Sequence, residues 1–250
     1  MSISLRSVNK SFGGLQAVKD LTFNLKPGFV TGLVGPNGAG KTTIFNLVSG
    51  FLRPDSGTVE FKGTCLNSLP PQRIVKKGIA RSFQDLRLFE QMTVLDNIMV
   101  AFQNQPGENL SQVFFRPWSV GRVETENLKL AESYLEKVGL LGKKDTTVGD
   151  LSYGEQKLLV IVRLLATNAE CVLLDEPMSG VDEKTRDVII DLVRNVASQG
   201  RTVCLIEHNI DIVTKACDWL LFLDQGTLLS EGTPKQIISD SHLTEIYFGH

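Results

Sequence analysis

The sequence predicts an α/β fold built on a mixed or parallel core sheet, with a helical segment inserted into it. Three observations carry that prediction. From Cys171 onward, apolar strands at Cys171–Leu174, Thr202–Ile206 and Leu220–Leu223 alternate with helices at Glu183–Ser198 and Asn209–Ala216, the pattern of parallel wrapping. Upstream, Gly35-Pro36-Asn37-Gly38-Ala39-Gly40-Lys41-Thr42-Thr43 satisfies G-x-x-x-x-G-K-[ST], placed between the apolar run Phe29–Val34 and a helix over Thr42–Gly50. Between these two regions the pattern turns helical, at Thr93–Phe102 and Arg122–Val138.

In chain order, Ile3–Val8 alternates, with Ile3, Leu5 and Val8 on one face. Further strands follow at Leu21–Leu25, Phe29–Val34 and Thr58–Phe61, separated by the turn signals Lys26-Pro27-Gly28 and Pro54-Asp55-Ser56-Gly57. Gly78–Phe83 is predicted as the next strand. Composition changes after Gln84, and the two helical stretches are separated by Asn104–Gly121, rich in Gly, Pro, Asn and Ser. A helical subdomain over about residues 90–165, inserted in a single domain of 1–250, accounts for that change. In Glu183–Ser198 the apolar set Val188, Ile189, Leu192, Val193 and Val196 forms one stripe, so this helix packs on a sheet.

The bulk properties narrow the function classes. A chain of 250 residues, 42% apolar, can bury an ample core. Its longest apolar runs are short, Leu158–Ala166 being interrupted by Arg163, so if the protein works at a membrane another chain must anchor it. No charged-then-apolar leader opens the sequence, and a cytoplasmic location is expected. A formal charge of −2 argues against a broad basic surface for nucleic acid. Cys65, Cys171, Cys204 and Cys217 lack C-x-x-C spacing and are read as structural.

The glycine-rich loop supplies the first piece of chemistry. Glycines permit positive φ and let backbone N–H groups turn inward around phosphate oxygens, while the following helix presents its positive end. Lys41 adds a full charge for the β- and γ-phosphates, and Thr42 is placed to offer its hydroxyl to Mg²⁺. A second piece is Cys171–Glu176, an apolar strand ending in two acids. Asp175 would hold Mg²⁺ directly or through water, and Glu176 would orient or deprotonate the attacking water.

Further motifs identify a family. Leu151-Ser152-Tyr153-Gly154-Glu155 resembles the Leu-Ser-Gly-Gly-Gln signature of ATP-binding-cassette (ABC) ATPases, departing from it at Tyr153 and Glu155. Gln84 matches the family's Q-loop glutamine, Ser179-Gly180-Val181-Asp182 its D-loop, and His208 its switch histidine. Phe12, before Gly13-Gly14, sits where the family stacks an aromatic on adenine. An isolated Gln is ordinarily a solvated side chain and an isolated His a capping or core residue, so the order and spacing of these motifs make the case together.

The resemblance implies the ABC ATPase form of the phosphate-loop fold, with an antiparallel β subdomain beside the core sheet, and it implies ATP and Mg²⁺ as ligands. Lys41 and the loop amides would hold the phosphates, and Thr42, Gln84 and Asp175 would arrange the Mg²⁺ shell. Glu176 would polarise water, His208 would contact the γ-phosphate, and Asp182 would belong to the catalytic set. Ser152, Gly154 and Glu155 would act on nucleotide held by a second ABC ATPase subunit, identical or related, so that a lone copy hydrolyses poorly.

Among users of this ATPase, DNA-maintenance proteins separate phosphate loop and signature by long coiled coils, whereas here the gap is about a hundred residues without sustained heptads. Ribosome-associated factors carry two cassettes, and this chain has one signature set. A transport subunit is the reading that remains. Phe12–Val18, Arg81–Phe89 and Ile246–Gly249 resemble the first ATPase subunit of branched-chain amino acid importers and related urea importers, and the segment Phe114–Trp118 suits that group. The resemblance therefore implies integral membrane permease subunits, an extracytoplasmic substrate-binding protein acting indirectly, no nucleic acid, and a peripheral place on the cytoplasmic side of the plasma (inner) membrane. A urea importer or another ABC transporter stays open as the alternative, and a DNA or ribosome ATPase after it. Permease contact is expected near Gln84–Phe89.

Overall fold

The computed structural model of the chain describes residues 2–103, 117–240, 242, 243 and 245. The Phe114-Phe115-Arg116 stretch and the Ile246–Gly249 tail lie outside the described residues. The chain divides into two compact units, one of residues 1–84, 170–179 and 190–250 and the other of residues 85–169 and 180–189.

In the first unit, β1 (Ile3–Phe12) and β2 (Leu15–Leu25) form a hairpin closed by Gly13-Gly14. The register shifts between Leu5 and Val8, and Ser7 adopts φ 46. This bulge moves the buried face from an i, i+2 step to Val8, so Ile3, Leu5 and Val8 are all buried. With β4 (Ser56–Phe61) and β5 (Thr64–Cys65) the hairpin makes an antiparallel sheet in the order β2-β1-β4-β5.

A second sheet combines β3 (Val30–Val34), β6 (Ile79–Arg81), β7 (Cys171–Asp175), β8 (Thr202–Ile206), β9 (Trp219–Asp224) and β10 (Thr227–Gly232) in the order β10-β9-β3-β8-β7-β6. Its pairs are parallel except β9-β10. Strands β3, β7 and β8 are buried along their whole length, as near-continuous apolar runs require. Helix α1 (Lys41–Val48) contributes Ile44, Phe45, Leu47 and Val48 to one buried cluster that takes residues from both sheets. Helix α2 (Pro71–Lys76), which has Pro at its first position and buries Ile74 alone, has no sequence periodicity strong enough to announce it.

The second unit is helical among its described residues. Helices α3 (Val94–Met99), α4 (Pro117–Lys137) and α5 (Tyr153–Ala166) pack on one another. Their buried residues include Val94 and Ile98, Ala131 and Leu135, and Leu158, Leu159 and Val162. Helix α4 starts five residues before the predicted Arg122, at a proline suited to the first helical turn. Helix α6 (Glu183–Ser198) has residues in both units and buries Ile189, Leu192, Val193 and Val196 as its stripe predicts. Cys171, Cys204 and Cys217 are buried, whereas Cys65 is exposed, and all four are free thiols. Burial pushes the Cys171, Cys204 and Cys217 thiols far up, so they behave as apolar groups.

Candidate functional site: a phosphate-loop cleft

The phosphate loop leaves β3 and enters α1 through a backbone that glycine alone satisfies at two points. Gly35 has φ 144, and a Cβ there would stand 2.0 Å from the Leu223 carbonyl oxygen. Gly40 has φ 97, and its Cβ would stand 2.5 Å from the Ala17 oxygen. Close backbone approach on both flanks fixes the loop's shape. Lys41 is buried, its Nζ donating to the Gly35 oxygen at 2.7 Å and the Pro36 oxygen at 2.8 Å. Burial pulls its pKa down, opposed by the charges of Glu176 and Asp175.

A cleft of about 350 Å³ brings together Phe12, residues 37–43 of the loop, Gln84, Glu176 and His208, with Leu15, Ala17 and Ile206 on its walls. Phe12, next to the hairpin turn, is 45% exposed and so offers its face to a ligand. At the other end Glu176 Oε1 lies 2.7 Å from His208 Nε2 and accepts from Gln84 Nε2 at 3.4 Å. A carboxylate oxygen only accepts, so the His208 proton in this contact sits on Nε2. Glu176 adopts φ 48, a left-handed backbone that costs a non-glycine residue about 1–3 kcal/mol and recurs at functional sites. Its N–H donates to the Ile206 oxygen at 3.0 Å, which ties that turn to the end of β8.

Asp175, at the end of β7, is buried and pairs through Oδ2 with Arg81 Nη2 at 3.0 Å. Its N–H donates to Ser82 Oγ at 2.8 Å. Burial pushes the Asp175 carboxyl up, and the Arg81 hydrogen bond and charge oppose that shift. Its Oδ1 is buried without a hydrogen-bond partner among the described residues. Glu207, also buried, accepts from the Met178 N–H at 2.9 Å and so holds the turn that follows Glu176.

Ser152, Gly154, Glu155 and Asp182 belong to the second unit. Ser152 caps α5, its Oγ accepting from the Glu155 N–H at 3.4 Å, while Glu155 Oε2 accepts from the Ser152 N–H and Oγ at 3.0 Å each. This capping box explains Glu155 as a local choice. Lys143 Nζ donates to its other oxygen at 2.6 Å, and that bond holds the carboxyl below its ordinary range. A Cβ on Gly154 would stand 3.3 Å from Thr185 Oγ1. Asp182 accepts from the Thr185 N–H at 3.0 Å and its hydroxyl at 2.9 Å, bonds that hold its carboxyl low and cap α6.

Sequence reasoning missed the partner of Asp175. Arg81, a charge inside the predicted strand Gly78–Phe83, signalled the need for a counter-ion, but nothing in the sequence named which residue supplies it. Glu207, one residue before His208, carried the same signal.

Known proteins identify the family to which this sequence and fold belong. The family profile described as "ABC transporter" matches residues 18–179. The high-affinity branched-chain amino acid transport ATP-binding protein LivG of Escherichia coli K12 is 38% identical over 253 residues, covering 100% of this chain and 99% of the relative. A crystal structure of the ADP conformation of an ATP-binding cassette of an ABC transporter aligns with TM-score 0.84 at 32% identity, covering 100% of this chain and 99% of that one. A dimeric bacterial ABC transporter cassette aligns with TM-score 0.76 at 26% identity, covering 93% of this chain and 98% of that one. The chain belongs to the ABC transporter family, as an ATP-binding cassette of its ATPases.

Proposed function

We propose that this chain hydrolyses ATP to drive a membrane importer for branched-chain or other amino acids. The observation that carries the reading is the cleft in which Phe12, Lys41, Thr42, Gln84, Glu176 and His208 share one space. Full-length similarity to a protein named for branched-chain amino acid transport supports the substrate class. Among the described residues no helix is long and apolar enough to cross a membrane, so the proposal includes permease subunits and a place for this chain on the cytoplasmic face of the inner membrane.

In the proposed site Phe12 stacks on adenine, while Lys41 and the backbone N–H groups of the Gly35–Thr43 loop other than Pro36, which has none, hold the phosphates. Thr42, Gln84 and Asp175 would hold Mg²⁺. The set fits, being oxygen donors suited to a hard cation, with the unpartnered Asp175 Oδ1 as a buried acceptor in need of a ligand. Bound there, Mg²⁺ would offset negative charge on the phosphates. Glu176 orients water and accepts its proton, and the His208 Nε2–H that now bonds to Glu176 can turn its hydrogen bond to a γ-phosphate oxygen while keeping its proton. Ser152 and Gly154 complete the site of a second cassette, with Asp182 beside Gly154, and the similar dimeric cassette structure supports that pairing.

The test is to purify the Glu176→Gln protein from native membranes with ATP and Mg²⁺ and to identify the accompanying chains. Permease subunits and a related ATPase are expected, and the extracytoplasmic binding protein of that system then distinguishes amino acids from urea or another cargo. Recovery with ribosomes or DNA and no membrane chain would overturn the transport reading.

A further inference from the structure

We propose that Arg81 is a positioning residue that fixes the Asp175 carboxylate against the helix following the phosphate loop, so that Asp175 and Thr42 keep one spacing for the metal ion. The inference rests on the metal assignment made above. Arg81 ends β6, where it pairs with Leu173 two residues before Asp175. Both side chains of the Arg81–Asp175 pair are almost fully buried, at 6% and 3% exposure.

The guanidinium does not serve Asp175 alone. While Nη2 donates to Asp175 Oδ2 at 3.0 Å, Nη1 donates to Asn46 Oδ1 at 2.6 Å and to Ser49 Oγ at 3.2 Å. Its carbon lies 5.4 Å from the Phe45 ring centroid and 5.0 Å from that of Phe83. Asn46 is four residues after Thr42 in α1, hence on the same helical face. One planar fork therefore ties the end of β7 to the helix that carries Thr42.

Two energetic arguments point to geometry as the purpose. A buried ion pair generally adds little stability over an apolar pair of equal volume. A buried carboxylate oxygen left without a partner is costly, yet Arg81 takes Oδ2 and leaves Oδ1 in that state. Both features make sense if the pair orients Asp175 toward a cation. An ammonium lacks the fork, and Lys at position 81 can satisfy one side of the bridge but not both.

The test uses the full chain in a Glu176→Gln background, which keeps ATP intact. Mn²⁺ is titrated into the ATP complex and followed by electron paramagnetic resonance, and ATP affinity is measured separately in EDTA. Arg81→Lys is expected to weaken Mn²⁺ binding about ten-fold, the scale of lost support behind a metal ligand, and to leave ATP affinity in EDTA within about two-fold. The Asn46→Ala/Ser49→Ala double variant, which spares the ion pair, should weaken Mn²⁺ about three-fold and decides the matter if Arg81→Lys does not fold. Unchanged Mn²⁺ affinity in the variants that fold, with only the melting temperature lowered, would make Arg81 a structural residue and overturn the proposal. Asp175→Asn separates the two levels. If it too leaves Mn²⁺ affinity unchanged, the metal assignment itself falls, whereas a loss there without a loss in the Arg81 variant refutes positioning alone.

Discussion

Lys41 and Glu176 do separable work in the proposed cycle, and substitution should separate them. Glu176→Gln keeps the shape of the side chain but removes its basicity, so hydrolysis should fall by about two orders of magnitude or more while ATP binding persists. Phosphate release and nucleotide titration on the same preparation check both halves. Lys41→Ala removes a buried cation that has two carbonyl partners in the loop. The loss of a charged hydrogen bond predicts ATP affinity weaker by about ten- to a hundred-fold, read by equilibrium binding. Unchanged affinity would remove Lys41 from the phosphate site. These two residues were legible in the sequence because each sits in a short motif whose spacing is dictated by backbone geometry. Arg81 was not, because its partners Asn46, Ser49 and Asp175 are distant in sequence and meet only when β6, β7 and α1 are assembled.

At the scale of elements, helix ends carry side chains that the site depends on. Helix α7 (Ile210–Ala216) is capped by Asn209, whose Oδ1 accepts from the N–H groups of Asp211 at 2.9 Å and Ile212 at 3.3 Å. Asn209→Ala should cost about 1 kcal/mol of stability and, by loosening the segment next to His208, slow hydrolysis; calorimetry and an ATPase assay check it. The Ser152–Glu155 box behaves differently. Its carboxyl is held below the ordinary value of 4.5 by Lys143 and Ser152, so its stabilising effect is present above that value and is lost as pH falls through the lower folded-state pKa. Lys143→Ala should move the acid limb of a pH-melting profile upward, and an unshifted limb would detach Lys143 from the signature segment. Long periodic elements such as Glu183–Ser198 and the buried run Thr202–Ile206 were readable to the residue, since one face or the whole strand is apolar. The β-bulge at Ser7, short α2 and the early start of β2 at Leu15 were not. They are set by pairing and turn geometry, which leave a weak trace in composition.

For the whole molecule, the proposed completion of the site by a second cassette would make hydrolysis depend on concentration. Dilution of the isolated wild-type chain should lower specific activity, and Glu176→Gln with ATP should shift sedimentation toward a dimer. A specific activity that stayed constant on dilution would argue for a self-sufficient monomer. Glu176 also bears on how such a protein can be altered. Its backbone angle, φ 48, suits glycine better than glutamate. Glu176→Gly should therefore melt at a higher temperature while losing hydrolysis. A laboratory selection for heat resistance or yield alone would drift toward inactive cassettes at this position, and no assay of expression or solubility would reveal it.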